Sequence, residues 1–65
     1  MQVLLNGKPR ELRDGLTVAE LTRELDLPRM IVVELNGLIL ERERFGETVL
    51  RAEDSLEIVT MVGGG

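Results

Sequence analysis

Ile31-Val32-Val33-Glu34-Leu35-Asn36-Gly37-Leu38-Ile39-Leu40 is the stretch on which the fold turns. Its first half is β-branched, and Ile31, Val33 and Leu35 share one face by the period of two that a strand imposes. Asn36-Gly37 then supplies the dipeptide best suited to a two-residue hairpin, whose central residues both need positive φ. Leu38-Ile39-Leu40 returns. A strand pair is thus written into ten consecutive residues.

The same signal occurs upstream. Gln2-Val3-Leu4-Leu5 reads as a strand with Val3 and Leu5 on one face, followed at once by Asn6-Gly7. Lys8 to Leu12 makes the returning strand. Pro9 has no N–H for a ladder, which places that strand at an edge or makes it irregular near its start. Between the two hairpins, Asp14-Gly15 turns the chain and Thr17-Val18-Ala19-Glu20 spells a capping box. The threonine hydroxyl can accept from the N–H three residues on, and the glutamate can reach back to the threonine N–H. The helix is expected from about Val18 to about Leu25. Val18, Leu21 and Leu25 form its apolar face, and Asp26-Leu27-Pro28 closes it. Two turns of helix do not persist alone in water, so this one must pack on the sheet.

Downstream, Glu41-Arg42-Glu43-Arg44 reads as a charged, solvated connector, with Glu41 and Glu43 on the surface rather than paired for catalysis. Phe45 is the one large ring available to fill the core. Gly46 to Leu50 suits a turn or irregular helix. Arg51-Ala52-Glu53-Asp54-Ser55 is a polar turn into a last strand, Leu56 to about Met61. The resulting order is strand, strand, helix, strand, strand, strand. It fits an α+β mixed sheet of four to five strands with one main helix across one face. The opposite face then meets solvent or a partner. Along the last strand Glu57, Val59 and Met61 point away from Leu56 and Ile58, and this outer set grows more apolar towards the end. Val59 and Met61 therefore form a candidate docking patch.

Composition removes most chemistry. The 65 residues contain no cysteine, histidine, tryptophan or tyrosine, which excludes a thiolate nucleophile, the usual general base and aromatic platforms for bases. Eight basic and twelve acidic residues give a formal charge of −4, unsuited to phosphate backbones and compatible with a basic protein surface. No apolar run is long enough to span a bilayer, so a cytoplasmic protein with no membrane and no nucleic-acid partner is expected, monomeric when free. A chain this short holds one domain, here 1–62, and buries only about 60% of its unfolded surface. Three of the seven glycines close the chain as Gly63-Gly64-Gly65. They read either as a frayed end or as a flexible arm able to lie against another backbone. With no reactive side chain upstream, the Gly65 carboxylate is the group left to carry chemistry.

The ordered set of pieces resembles one family: strand–Asn-Gly–strand, a short Thr-capped helix, Val33-Glu34-Leu35-Asn36-Gly37, an Arg-bearing connector, an acidic turn, Leu56-Glu57-Ile58-Val59 and a terminal Gly-Gly. Together they are similar to the ThiS family of thiamine-biosynthesis sulfur carriers, over essentially the whole length. The resemblance implies a β-grasp, ubiquitin-like fold. It further implies a carrier that is not itself an enzyme and binds no cofactor. A ThiF-like adenylating enzyme, holding ATP and magnesium, joins the Gly65 carboxylate to AMP. Sulfur from a donor such as a cysteine desulfurase then leaves a C-terminal thiocarboxylate, which thiazole synthase (ThiG-like) consumes. In that scheme Gly64 and Gly65 enter a tight cleft, Gly63 adds reach, and Val59, Met61 and Val62 contact the partner. Two departures stand out. The family commonly has Gly-Asp in the acidic turn where this chain has Glu53-Asp54, which bears on the turn geometry, and Gly63 extends the final pair. Carriers serving molybdopterin, tRNA thiolation or cysteine synthesis, and ubiquitin-like protein modifiers, share the tail chemistry, and a non-catalytic β-grasp interaction domain is a further reading.

Overall fold

The computed structural model describes residues 1–60. Five strands and one α-helix follow in the order β1 (Gln2–Leu5), β2 (Lys8–Glu11), α1 (Val18–Glu24), β3 (Ile31–Leu35), β4 (Leu38–Leu40) and β5 (Ser55–Thr60), with a 3-10 helix at Arg42–Glu47 between β4 and β5. They form one mixed sheet of spatial order β2-β1-β5-β3-β4. β1 and β5 run parallel at its centre, and the other neighbours are antiparallel. This is the α+β arrangement that the sequence predicts, and β2, with Pro9, lies at an edge.

Both hairpins turn as their Asn-Gly pairs require. Asn6 and Gly7 have φ of 51° and 81°, and Asn36 and Gly37 have 53° and 86°. These angles twist with the flanking strands, and asparagine and glycine reach them at low steric cost. The capping box of α1 is complete. Glu20 N donates to Thr17 Oγ1 at 3.1 Å, and Thr17 N donates to Glu20 Oε1 at 2.9 Å. Glu20 is thereby drawn back to the helix start and half-buried.

The helix lies over one face of the sheet. Val18 and Leu21 are buried there and Leu25 packs at the margin, against Val3, Val33, Leu56 and Ile58 from the strands. Phe45 completes the core, as its uniqueness predicts. The charged run before it is not merely a connector. Arg42 to Glu47 wind into the 3-10 helix that swings Phe45 inward, and the Arg42 guanidinium lies 5.7 Å from the centre of the Phe45 ring while donating to the Arg29 carbonyl. No buried polar or charged residue occurs among the described residues.

The acidic turn adopts the geometry that its sequence strains against. Glu53 has φ of 70°, in the left-handed region that glycine enters freely and glutamate does not. Its N–H donates to the Gln2 carbonyl at 2.7 Å, and Asp54 closes the turn by accepting from Arg51 N at 2.8 Å. The fold therefore keeps the turn and accepts the strain.

Candidate functional site

The strand that leads to the glycine tail is the central one. β5 is held on one side by β3 from Leu35↔Leu56 to Ile31↔Thr60. On its other side β1 reaches only to Leu5↔Leu56. The asparagine of the first hairpin continues that ladder with its side chain. Asn6 Oδ1 accepts from Ile58 N at 2.7 Å, and Asn6 Nδ2 donates to the Ile58 carbonyl at 3.3 Å. The second hairpin treats the start of β5 alike. Ser55 N donates to Asn36 Oδ1 at 2.9 Å, and Asn36 Nδ2 donates to Asp54 Oδ1 at 3.0 Å. Two turn asparagines thus fix β5 between them. Sequence reading found both as turn residues and missed this second duty, which spans 52 residues in one case and 19 in the other.

Alternation along β5 places Glu57 and Val59 on the face away from α1. Val59 is 56% exposed, so the outer face is open at the position expected to dock. Its cross-strand neighbour is Val32, half-buried on β3. The next pair along the same face is Glu34 with Glu57, and Ile39 on β4 lies beside Glu34 at 70% exposure. Leu4 of β1 belongs to the same face. The result is an open apolar surface with two carboxylates set into it. Met61, Val62, Gly63, Gly64 and Gly65, the remaining expected site residues, lie outside the described residues.

Among the described residues no three acidic side chains converge as a metal site would require. Glu20 is the one side chain whose acidity shifts clearly. The Thr17 backbone N–H and then its hydroxyl hold that carboxyl below its ordinary value of 4.5. That group caps a helix and lies apart from the open face. No helix is long and apolar enough to cross a membrane among the described residues.

A seven-residue helix packed over one face of a five-stranded mixed sheet of order β2-β1-β5-β3-β4 defines a β-grasp, ubiquitin-like domain. Comparison with known proteins gives the family. The ThiS family model matches residues 3–65, and the chain belongs to that family of small sulfur carrier proteins, which are not catalysts. It is 38% identical over 63 residues to the sulfur carrier protein ThiS of Bacillus subtilis, covering 94% of this chain and 96% of that one. The crystal structure of the thiamine biosynthesis protein ThiS from Geobacter metallireducens superposes with a TM-score of 0.85 at 38% identity, and the match covers 100% of both chains. A thiazole synthase of Magnetococcus marinus is 35% identical over 66 residues, and there the chain spans only 20% of the relative's length.

Proposed function

We propose that this chain carries sulfur for thiazole formation in thiamine biosynthesis, with the Gly65 carboxylate as its working group. The observation that carries the reading is the similarity to the Bacillus subtilis sulfur carrier along nearly the whole of both chains, joined by a family match that runs through the glycines to residue 65. A carboxylate is a poor electrophile, and the described residues offer nothing to activate it. A separate adenylating enzyme supplies ATP and magnesium. The Gly65 carboxylate attacks the α-phosphorus, pyrophosphate leaves, and the acyl-adenylate so formed has AMP as a good leaving group. The terminal sulfur of a donor persulfide then displaces AMP to give an acyl disulfide, and attack of a partner thiol on the donor sulfur breaks that S–S bond, leaving the thiocarboxylate and a disulfide on the partner proteins.

The division of labour in this reading follows from the cost of ordering a glycine tail. Threading residues 63–65 into an active-site cleft fixes backbone at roughly 1–2 kcal/mol per residue. Docking of the open sheet face around Val59, with Met61 and Val62 beyond it, offsets that cost. The similarity to thiazole synthases from Magnetococcus marinus and Paramagnetospirillum magneticum supports a thiazole synthase as the acceptor of the sulfur. The test is an intact-mass measurement after incubation with the adenylating enzyme, ATP, magnesium and a sulfur donor. Replacement of one oxygen by one sulfur is expected. An unchanged mass overturns the reading and leaves a β-grasp interaction domain in its place.

A further inference from the structure

β1 accompanies the tail-bearing strand only part of the way. Its backbone ladder with β5 reaches Leu5↔Leu56, and the chain then turns away at Asn6 and Gly7, where φ is 51° and 81°. Asn6 N still donates to the Leu56 carbonyl at 2.8 Å. Past that point the Asn6 carboxamide stands in for backbone, accepting from Ile58 N at 2.7 Å and donating to the Ile58 carbonyl at 3.3 Å. Among the described residues these are the last bonds that β5 receives on this side. On the other side β3 continues to Ile31↔Thr60. β5 is therefore held from both flanks at Ile58, which is 8% exposed, and from β3 alone at the exposed Val59 and Thr60.

A strand end paired on one side only is in the position of an isolated two-stranded ribbon, which is marginal in water. Without the amide, that weakness extends back to Ile58. Five residues follow Thr60, and fully extended they reach at most roughly 16–18 Å. So short an arm delivers its end accurately only from a fixed origin. Every residue released upstream widens the volume that the end explores and has to be ordered again on insertion.

We infer that Asn6 is a positioning residue for the Gly65 carboxylate: its carboxamide pins Ile58, so that the tail is presented from a fixed root. The inference rests on the carrier reading above. Asn6 acts through the backbone of β5 and needs no contact with the reacting atoms. Its contribution belongs to the carrier before insertion, since a threaded carboxylate meets ATP in the same geometry with or without the amide. Loss of the amide is accordingly read in KM and leaves kcat in place.

The test is ATP–pyrophosphate exchange by the adenylating enzyme with the full chain at varied concentration, for Asn6→Gly, Asn6→Asp and Thr17→Ala. Asn6→Gly keeps the turn and removes both bonds to Ile58. Asn6→Asp keeps the acceptor for Ile58 N and gives up the donor, a milder change that serves if the glycine variant does not fold. Thr17→Ala weakens the cap of α1, touches no bond of β5 and controls for lost stability alone. The expected KM is raised about tenfold in Asn6→Gly and less in Asn6→Asp, with kcat within about twofold of the unaltered chain. Thr17→Ala should leave KM unchanged. Amide hydrogen exchange at Val59 and Thr60 should quicken in the Asn6 variants more than at Val33 and Leu21. An unchanged KM in the Asn6 variants overturns the inference, as does an equal rise in Thr17→Ala or a loss confined to kcat. In those cases the unaltered chain still supports exchange and the carrier reading stands. If the unaltered chain supports no exchange, the carrier reading falls and takes this inference with it.

Discussion

The side-chain amide of Asn6 grips the backbone of Ile58 at both ends, accepting from its N–H at 2.7 Å and donating to its carbonyl at 3.3 Å. An amide side chain thereby takes the place of one more residue of β1 beside the central strand. Asn6 also holds φ of 51°, so one residue both turns the hairpin and anchors β5.

Asn6→Gly separates these duties, since glycine keeps the turn and removes the amide. Leaving the Ile58 N–H without its partner is expected to cost about 1–3 kcal/mol in urea unfolding. A midpoint equal to that of the unaltered chain would show that the side-chain bond contributes nothing.

Glu53→Gly should move stability the other way. A left-handed backbone costs a residue with a Cβ roughly 1–2 kcal/mol, and glycine returns about 0.5–1 kcal/mol of that as unfolded-chain entropy. The net expectation is a gain of about 0.5–1 kcal/mol, read as a higher urea midpoint. Loss of stability in this variant would mean that the Glu53 side chain makes a contribution larger than the strain at φ of 70°.

The helix cap sets the response to acid. Glu20 titrates below 4.5 in the folded chain because Thr17 donates to its carboxylate. A folded value lower than the unfolded one means that its contribution is complete above pH 4.5 and disappears as the pH falls through the folded value. Glu20→Gln should therefore narrow the stability difference from the unaltered chain as acid is added. A difference that stays constant from neutral pH down to pH about 3 would contradict this coupling. Thr17→Ala removes the other half of the box and should cost about 1 kcal/mol at neutral pH, measured by the same unfolding.

Gly65→Ala tests the tail. A Cβ at the reacting residue restricts the approach of the carboxylate, and misplacement at a reacting centre costs on the order of a hundredfold in rate. ATP–pyrophosphate exchange with the adenylating enzyme should fall accordingly while the urea midpoint stays put. Exchange at the unaltered rate would remove Gly65 from the reaction as proposed.

Local signals carried most of the fold. Each Asn-Gly pair, the Thr17–Glu20 box and the lone ring of Phe45 act over a few residues or through composition, and each has the structural consequence its sequence implies. Three features were less legible for a shared reason. The 3-10 helix at Arg42–Glu47 looked like a solvated connector because its charges are exposed, and only burial of Phe45 pulls it into shape. The grip of Asn6 and Asn36 on β5 joins residues far apart in sequence. The Glu34–Glu57 pair depends on the β3–β5 register, which no single segment contains. The openness expected at Val59 is present, while Met61 to Gly65 stand outside the described residues.

The position of β5 in the sheet bears on when the tail can work. The two hairpins, β1–β2 and β3–β4, can each close locally, but they share no ladder with one another until β5 enters between β1 and β3. Isolated two-stranded hairpins are marginal in water. The last described strand to be synthesised is thus the one that unites the domain, and it does so through long-range contacts that form slowly and together. Inserting the strand that bears the tail and completing the fold are consequently one event. An activating enzyme that recognises the assembled sheet face reads, in the same contact, a certificate that the chain behind the glycines has finished folding.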